Sequence, residues 1–528
     1  MAQGAVARTV SQVVGGAAAR ASSAIKLNNQ NLSQIRKLAQ PGSTQRHPTT
    51  LPSYDRKGLK EGIVHIGVGG FHRAHLAAYL DGLLSQNSAR DWAIAGVGLQ
   101  PFDAGMRDAL VPQDGLYTLI ERSAAGSSAR VIGSISSFLF APDDPRAVIA
   151  KMANKDTRIV SMTITESGYY YNENTHQLEV EHPDIVADLQ SELTAPKTTF
   201  GYLYASLAKR YEAGLKPFTV LSCDNMQKNG TITGNMLKTF ARHRDPKIAK
   251  WLGDHGAFPN SMVDRITPRT MEEDKVSLAE QFGIEDAWPV VTEPFLQWVV
   301  EDKFALGRPE FEKVGVQLVP DVHEVEQFEC HKLRLLNASH TAMAYLAFLS
   351  HFEYVHEVIQ HPLFSKFIHQ MMHQEVKPLL PVIPGVSLDA YCDKLIERFS
   401  NPTIMDQINR LTLNGSGKLP QFIMPTIAEQ IMANTHNLKR LSLVVASWFR
   451  YLEGVNEQGK PYPIDDARAE ELQPLAIEGG SKPYPMMDVK NLFGDDLRGD
   501  TIFMGELAKA MESLHTKGAL ATLSEYVD

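Results

Sequence analysis

Cysteine is scarce in this chain: Cys223, Cys330 and Cys392 are the only three among 528 residues. Three thiols cannot build the disulfide framework of a small secreted scaffold, and their spacing matches no structural zinc pattern, which fits a reducing, intracellular setting. Long apolar runs are missing as well. No stretch approaches the roughly 18 consecutive apolar residues of a spanning helix, so no membrane association is expected. Positive charge is in deficit, with 52 Lys and Arg against 61 Asp and Glu and a net charge of −9. That balance argues against general nucleic-acid binding and suits a small, uncharged substrate. What remains is an ordinary globular composition, 43% hydrophobic and 21% charged, on a chain long enough to need two cores.

Acidic residues are absent from one region altogether. Met1 to Tyr54 carries six basic residues (Arg8, Arg20, Lys26, Arg36, Lys37 and Arg46) and no acidic one, while Ala, Ser and Gly crowd Met1 to Ile25. This is the composition of an organellar transit peptide, and equally that of a tail without an address. The compartment is therefore cytoplasmic, or mitochondrial or plastid if the segment is an address. Residues 1–25 are read as an extension outside the fold.

Beyond it, the apolar strand Gly62–Ile66 runs into Gly67-Val68-Gly69-Gly70 and then into helical spacing from Phe71 to Leu84. Further apolar runs bounded by turn residues occur at Trp92–Leu99, Arg158–Thr165 and Phe218–Ser222, with helix-compatible stretches such as Gly201–Ala213 between them. Alternation of this kind predicts parallel βαβ units. From about Glu329 the pattern changes to long amphipathic stretches, His331–His351, Pro362–Gln374, Ala428–Asn434 and Leu438–Leu452. The expected architecture is α/β: a Rossmann-type dinucleotide-binding domain over 26–320 and a mainly helical substrate and catalytic domain over 321–528.

Glycines between a strand and a helix let the backbone approach a pyrophosphate seated at the helix N-terminus. The pattern here is incomplete, because His72 occupies the place of the third glycine. A purely structural strand-to-helix turn explains the same residues. Asp103, shortly after the second strand, is placed to accept hydrogen bonds from ribose hydroxyls and to repel a 2′-phosphate, favouring NAD over NADP; it is equally placed to cap the helix starting near Ala104. The candidate cofactor residues are Gly67, Gly69, Gly70, Phe71 and Asp103.

Lys332, Asn337 and His340 fall in one helix-compatible stretch, at roughly 0°, 140° and 80° around an α-helical axis, so that one broad face can present all three. Oxidising a carbinol requires a base for the hydroxyl proton and donors for the developing carbonyl oxygen, roles a lysine, an amide and a histidine can fill. A solvated surface lysine and a core histidine fit these residue types too.

The sequence as a whole resembles the polyol-specific long-chain dehydrogenase/reductase family. The resemblance runs through nearly everything after residue 25. It rests on Lys26–Leu32, Gly67–His75, Ser222–Asn225, Phe258–Pro268 and Trp288–Phe295, together with a Lys-x4-Asn-x2-His signature met by Lys332, Asn337 and His340. It implies interconversion of D-mannitol and D-fructose with NAD and without a metal, with Lys332 as general acid/base and Asn225 and Asn337 polarising the C2 oxygen. It also implies proton-relay positions at Asp264 and Glu329 and a substrate contact at Arg410. Asn225 follows an apolar strand, which independently places it outside the strand ends of such a sheet. Phe102 departs from relatives that carry a second acidic residue there, which leaves room for some NADP use.

Other readings are a hexuronate (fructuronate or tagaturonate) reductase or an arabinitol dehydrogenase of the same family, and a catalytically silent dinucleotide-binding sensor. No tyrosine is followed four residues later by lysine, which excludes the short-chain dehydrogenase site, and His72 and His75 complete no convincing zinc ligand set. The expected partner is a polyol or ketose, and a monomer accommodates every feature read here.

Overall fold

The computed structural model describes residues 24–39, 49–172 and 175–527. The chain divides into two compact units, Met1–Glu326 and Gln327–Asp528. Most of the expected extension, residues 1–23, lies outside the described residues. Its last member, Ile25, pairs with Ile284 in a short parallel ladder.

The first unit is organised by a five-stranded parallel sheet. Its strands are β1 (Ile63–Ile66), β2 (Ile94–Gly98), β3 (Ile135–Phe140), β4 (Ile159–Met162) and β5 (Thr219–Ser222). Their spatial order is β5-β4-β1-β2-β3. The order reverses between β1 and β4, which makes the crevice outside their carboxyl ends the expected ligand position of a doubly wound sheet. Every residue of β1 is buried, as a strand covered on both faces requires. Val64 and Ile66 pack with Leu203 and Phe200, while Ile63 packs with Leu80 and Leu83 on the other side. This is a Rossmann-type domain.

Among the described residues a four-stranded sheet, a three-stranded sheet and two two-stranded ladders accompany it. The four-stranded sheet carries the antiparallel hairpin Tyr117–Ser123 and Gly126–Ile132, and the three-stranded one pairs Ser261–Asp264 with Gln297–Glu301. The second unit is helical among its described residues, around one core that includes Leu346, Phe367, Trp448 and Phe503, all fully buried. Helix Lys439–Leu452 runs through it with every residue from Arg440 to Leu452 buried. No helix among the described residues is long and apolar enough to cross a membrane.

Candidate functional site

Gly67 follows β1 with φ +85°, and a Cβ there would lie 2.1 Å from the Thr163 carbonyl oxygen. Only glycine allows β1 and the loop after β4 to approach this closely. Thr163 Oγ1 donates to the Gly67 carbonyl at 2.7 Å, locking the two loops at the point where the strand order reverses. Gly69 is the N-cap of helix Gly70–Ala74, and a Cβ built on it would meet nothing within 4 Å. The first amides of that helix, on Gly70 and Phe71, have no partner within the helix itself. A cradle with room above a helix N-terminus fits the pyrophosphate of a dinucleotide.

His72, in the place of the third glycine, is buried and stacked on His65 of β1 with ring centroids 3.3 Å apart. The pair fills the layer that close helix-to-strand packing would otherwise eliminate. Burial pushes His65 down to about 3 and His72 well below its ordinary value, so both rings are neutral at physiological pH. Phe71 stacks on His75, whose Nε2 lies 2.9 Å from the Gln297 carbonyl.

Asp103 closes a short 3-10 turn after β2. Its Oδ2 accepts the Gln100 amide at 2.9 Å, completing a reciprocal cap with the Gln100 side chain. Burial raises its pKa, against the two backbone amides that lower it. The carboxylate thus has a structural duty in capping this turn.

Asn225 is exposed, three residues beyond the carboxyl end of β5. Its neighbour Asp224 explains how that loop is held. Asp224 accepts the Ile164 and Thr165 amides at 3.0 Å each and the Tyr169 hydroxyl at 2.6 Å, tying the loop after β5 to the loop after β4. Thr165 sits at φ +61°, a strained conformation that these bonds help maintain. Asp264, 4% exposed, ends strand Ser261–Asp264. The adjacent Arg265 is directed elsewhere, to the Ala74 and Glu293 carbonyls and to Glu121.

In the second unit, Lys332–Asn337 is a π-helical segment that continues into helix Ala338–Leu349. The Ala338 amide reaches the Leu333 carbonyl, five residues back. The widened turn changes the angular expectation: residues five apart come nearer to one line, so Asn337 follows Lys332 more closely in azimuth than an α-helix would allow. Lys332 is 7% and Glu329 6% exposed, which removes the reading of a solvated surface lysine. Arg334, pointing off the same segment, forms a two-pronged pair with Glu429 that fixes its rotation.

His340 packs against Phe399 with ring centroids 4.7 Å apart. Arg410 clasps Asp406 through Nε–Oδ1 at 2.7 Å and Nη2–Oδ2 at 2.6 Å. Burial opposes the ionised form of Asp406, but the Arg410 hydrogen bonds and charge, with a contribution from His340, hold its carboxyl below the usual range. Asp406 therefore links His340 and Arg410 electrostatically. Sequence reasoning missed it, and missed Lys418, which burial and the Arg410 charge push down to about 8. The i,i+4 spacing of Asp406 and Arg410 was a usable signal for the first; nothing in the sequence marked the second.

Residues 61–313 match the family model described as "Mannitol dehydrogenase Rossmann domain", and residues 324–515 that of the "Mannitol dehydrogenase C-terminal domain". The chain is 63% identical over 506 residues to a protein named mannitol 2-dehydrogenase from Aspergillus oryzae, covering 96% of this chain and 99% of that relative. It is 61% identical over the same shares to one of that name from Pyricularia oryzae. Among solved structures it is similar to Pseudomonas fluorescens mannitol 2-dehydrogenase in ternary complex with NAD and D-mannitol, with TM-score 0.82, 42% identity, and 95% and 99% of the two chains covered. A substrate-free D-sorbitol dehydrogenase matches with TM-score 0.84 and 35% identity over 94% of this chain and 100% of that one.

Proposed function

This chain belongs to the mannitol dehydrogenase family, and from that premise we infer that it interconverts D-mannitol and D-fructose as an NAD-dependent dehydrogenase, with Lys332 moving the proton. The observation that carries the assignment of Lys332 is its burial, at 7% exposure, on a π-helical segment that brings Asn337 toward the same line. Buried lysines are rare unless they are paired or put to use.

NAD supplies the hydride acceptor, and the turn of Gly67, Gly69, Gly70 and Phe71 would hold it. Neutral Lys332 takes the proton from the C2 hydroxyl, and in the reverse direction its ammonium returns one to the carbonyl oxygen. Asn337 and Asn225 donate amide hydrogen bonds to that oxygen as its charge develops. Glu329 and Asp264 pass the proton onward. His340 and Arg410 orient the remaining hydroxyls, with Asp406 holding the arginine. Because the Arg410 charge is already matched by Asp406, the neutral polyol is favoured over a uronate. A substrate panel tests this: NADH formation should be fastest with D-mannitol among mannitol, sorbitol and arabinitol, and a preference for reducing fructuronate over fructose would refute it.

The donors named here do the work a Lewis acid would otherwise do. Exhaustive chelation should leave turnover unchanged, and an enzyme inactivated by chelation and revived by zinc would contradict the scheme.

Cofactor choice rests on Asp103. Asp103→Asn keeps a side-chain oxygen for the Gln100 amide while removing the charge, so the fold should persist. The loss of a charge-assisted bond worth about 1.5 kcal/mol should narrow the NAD-over-NADP ratio by roughly tenfold. An unchanged ratio would confine Asp103 to its capping duty.

A further inference from the structure

Away from the Lys332 segment, the helical unit brings together a second set of groups. Helix Pro362–Gln370 passes into a π-helical segment, Met371–Val376, and helix Leu388–Phe399 packs beside it. His369 and His373, one turn apart on the first run, stack with ring centroids 4.2 Å apart, at an interplanar angle of 23°. Asp393 from the second helix joins them: one ligand atom from each of the three lies within 4.8 Å of the others. Among the described residues no other group of histidine, cysteine and carboxylate side chains converges in this way.

His373 has a carboxylate near one ring nitrogen and no partner at the other. Its Nδ1 lies 3.2 Å from Asp389 Oδ1, and Asp389 is also paired with Lys377. A carboxylate this close to Nδ1 favours the tautomer with the proton there and the lone pair on Nε2. Nε2 is buried and has no hydrogen-bond partner. The stacking of the two rings does not supply that nitrogen with a partner.

We propose that His369, His373 and Asp393 form a binding site for a divalent transition-metal ion of the zinc class, with Asp389 orienting His373 from behind. Two imidazoles and one carboxylate select zinc, nickel or copper over magnesium or calcium, which prefer all-oxygen shells. Zinc–nitrogen bonds of about 2.0–2.1 Å require the ligand atoms to close to roughly 3.3 Å of one another in a tetrahedron, a movement that the exposed side chains of His369 and Asp393 permit. Water completes the shell. The ion would staple the His369–His373 run to helix Leu388–Phe399. Glu375, two residues further on, is fully buried and accepts the Arg440 and Leu441 amides at 2.8 and 2.9 Å, so the staple would tighten a segment already anchored in the core. The site takes no part in the proposed oxidation.

The test is equilibrium dialysis of the chelator-stripped full chain against zinc sulfate, with magnesium as the counter-probe. One zinc per chain should be retained and no magnesium. His369→Ala and Asp393→Asn alter exposed residues and should fold normally, each weakening zinc binding at least about tenfold; Asp389→Asn should weaken it by about 10- to 100-fold, the usual effect of removing such an orienting partner. Zinc should raise the thermal midpoint of the wild type and leave that of the His369→Ala/Asp393→Asn double variant unmoved, while mannitol turnover stays the same in both. Failure to retain zinc, or equal retention by the double variant, would overturn the site.

Discussion

Lys332→Ala should lower the turnover of mannitol oxidation by at least about 10²-fold, the scale of a lost general base, while NADH binding stays close to wild type. The wild-type rate should rise with pH through one basic ionisation, because only the neutral amine can accept the hydroxyl proton. Fructose reduction should run the opposite way, since the ammonium donates. Lys418, pushed down to about 8, is a second lysine whose ionisation could shape such a profile. Lys418→Met therefore belongs beside Lys332→Ala: the basic limb of the profile should survive in the first and vanish in the second. A profile that loses its limb only in Lys418→Met would move the ionisation away from Lys332.

The second large effect is expected at the glycine turn, where two neighbouring substitutions should behave differently. Gly67→Ala puts a Cβ at φ +85° and 2.1 Å from the Thr163 backbone oxygen. The conformation alone costs about 1–3 kcal/mol, and the clash is with backbone, which can yield only by prising the β1 and β4 loops apart. Urea unfolding should shift to clearly lower midpoints, and NADH affinity should collapse with it. Gly69→Ala meets nothing within 4 Å, so its unfolding should match wild type. Any loss of NADH affinity there reports on the cofactor rather than on the fold. Wild-type stability in Gly67→Ala would mean that the approach of the two loops is not what holds this crevice.

The parts of the fold that were legible in the sequence are those whose side-chain periodicity is unbroken. The strands Ile63–Ile66, Ile94–Gly98, Ile159–Met162 and Thr219–Ser222 fall within the stretches that apolar spacing marks, and helix Thr199–Glu212 overlaps the expected Gly201–Ala213. The hairpin Tyr117–Ile132 was not read, because Glu121, Arg122 and Ser123 on one strand and Ser127, Ser128 and Arg130 on the other leave too little alternation to signal a strand. The expected single helix from Phe71 to Leu84 is broken at His75, whose φ −116° and ψ −96° no composition rule anticipates. The two π-helical segments were invisible for a related reason. Lys332–Asn337 and Met371–Val376 contain no proline or glycine to mark a change of pitch, and a π turn depends on what the neighbouring elements accept.

The site shows the same division. Lys332, Asn337 and His340 stood out because a lysine, an amide and a histidine at fixed spacing match a known signature, and the burial of the lysine at 7% is a tertiary fact that spacing could not give. Asp224 was quoted only as part of a motif, yet it ties two loops together through three hydrogen bonds to residues about sixty positions away. His72 looked like a flaw in a glycine pattern; its stack with His65 depends on a partner seven residues earlier on β1.

Chemical rescue tests the central claim most directly. In Lys332→Ala, a small primary amine should restore part of the mannitol oxidation rate, in proportion to the concentration of its free base and not of its protonated form. A mutant that keeps near-normal turnover and the wild-type pH profile without added amine would make the lysine structural and contradict the mechanism.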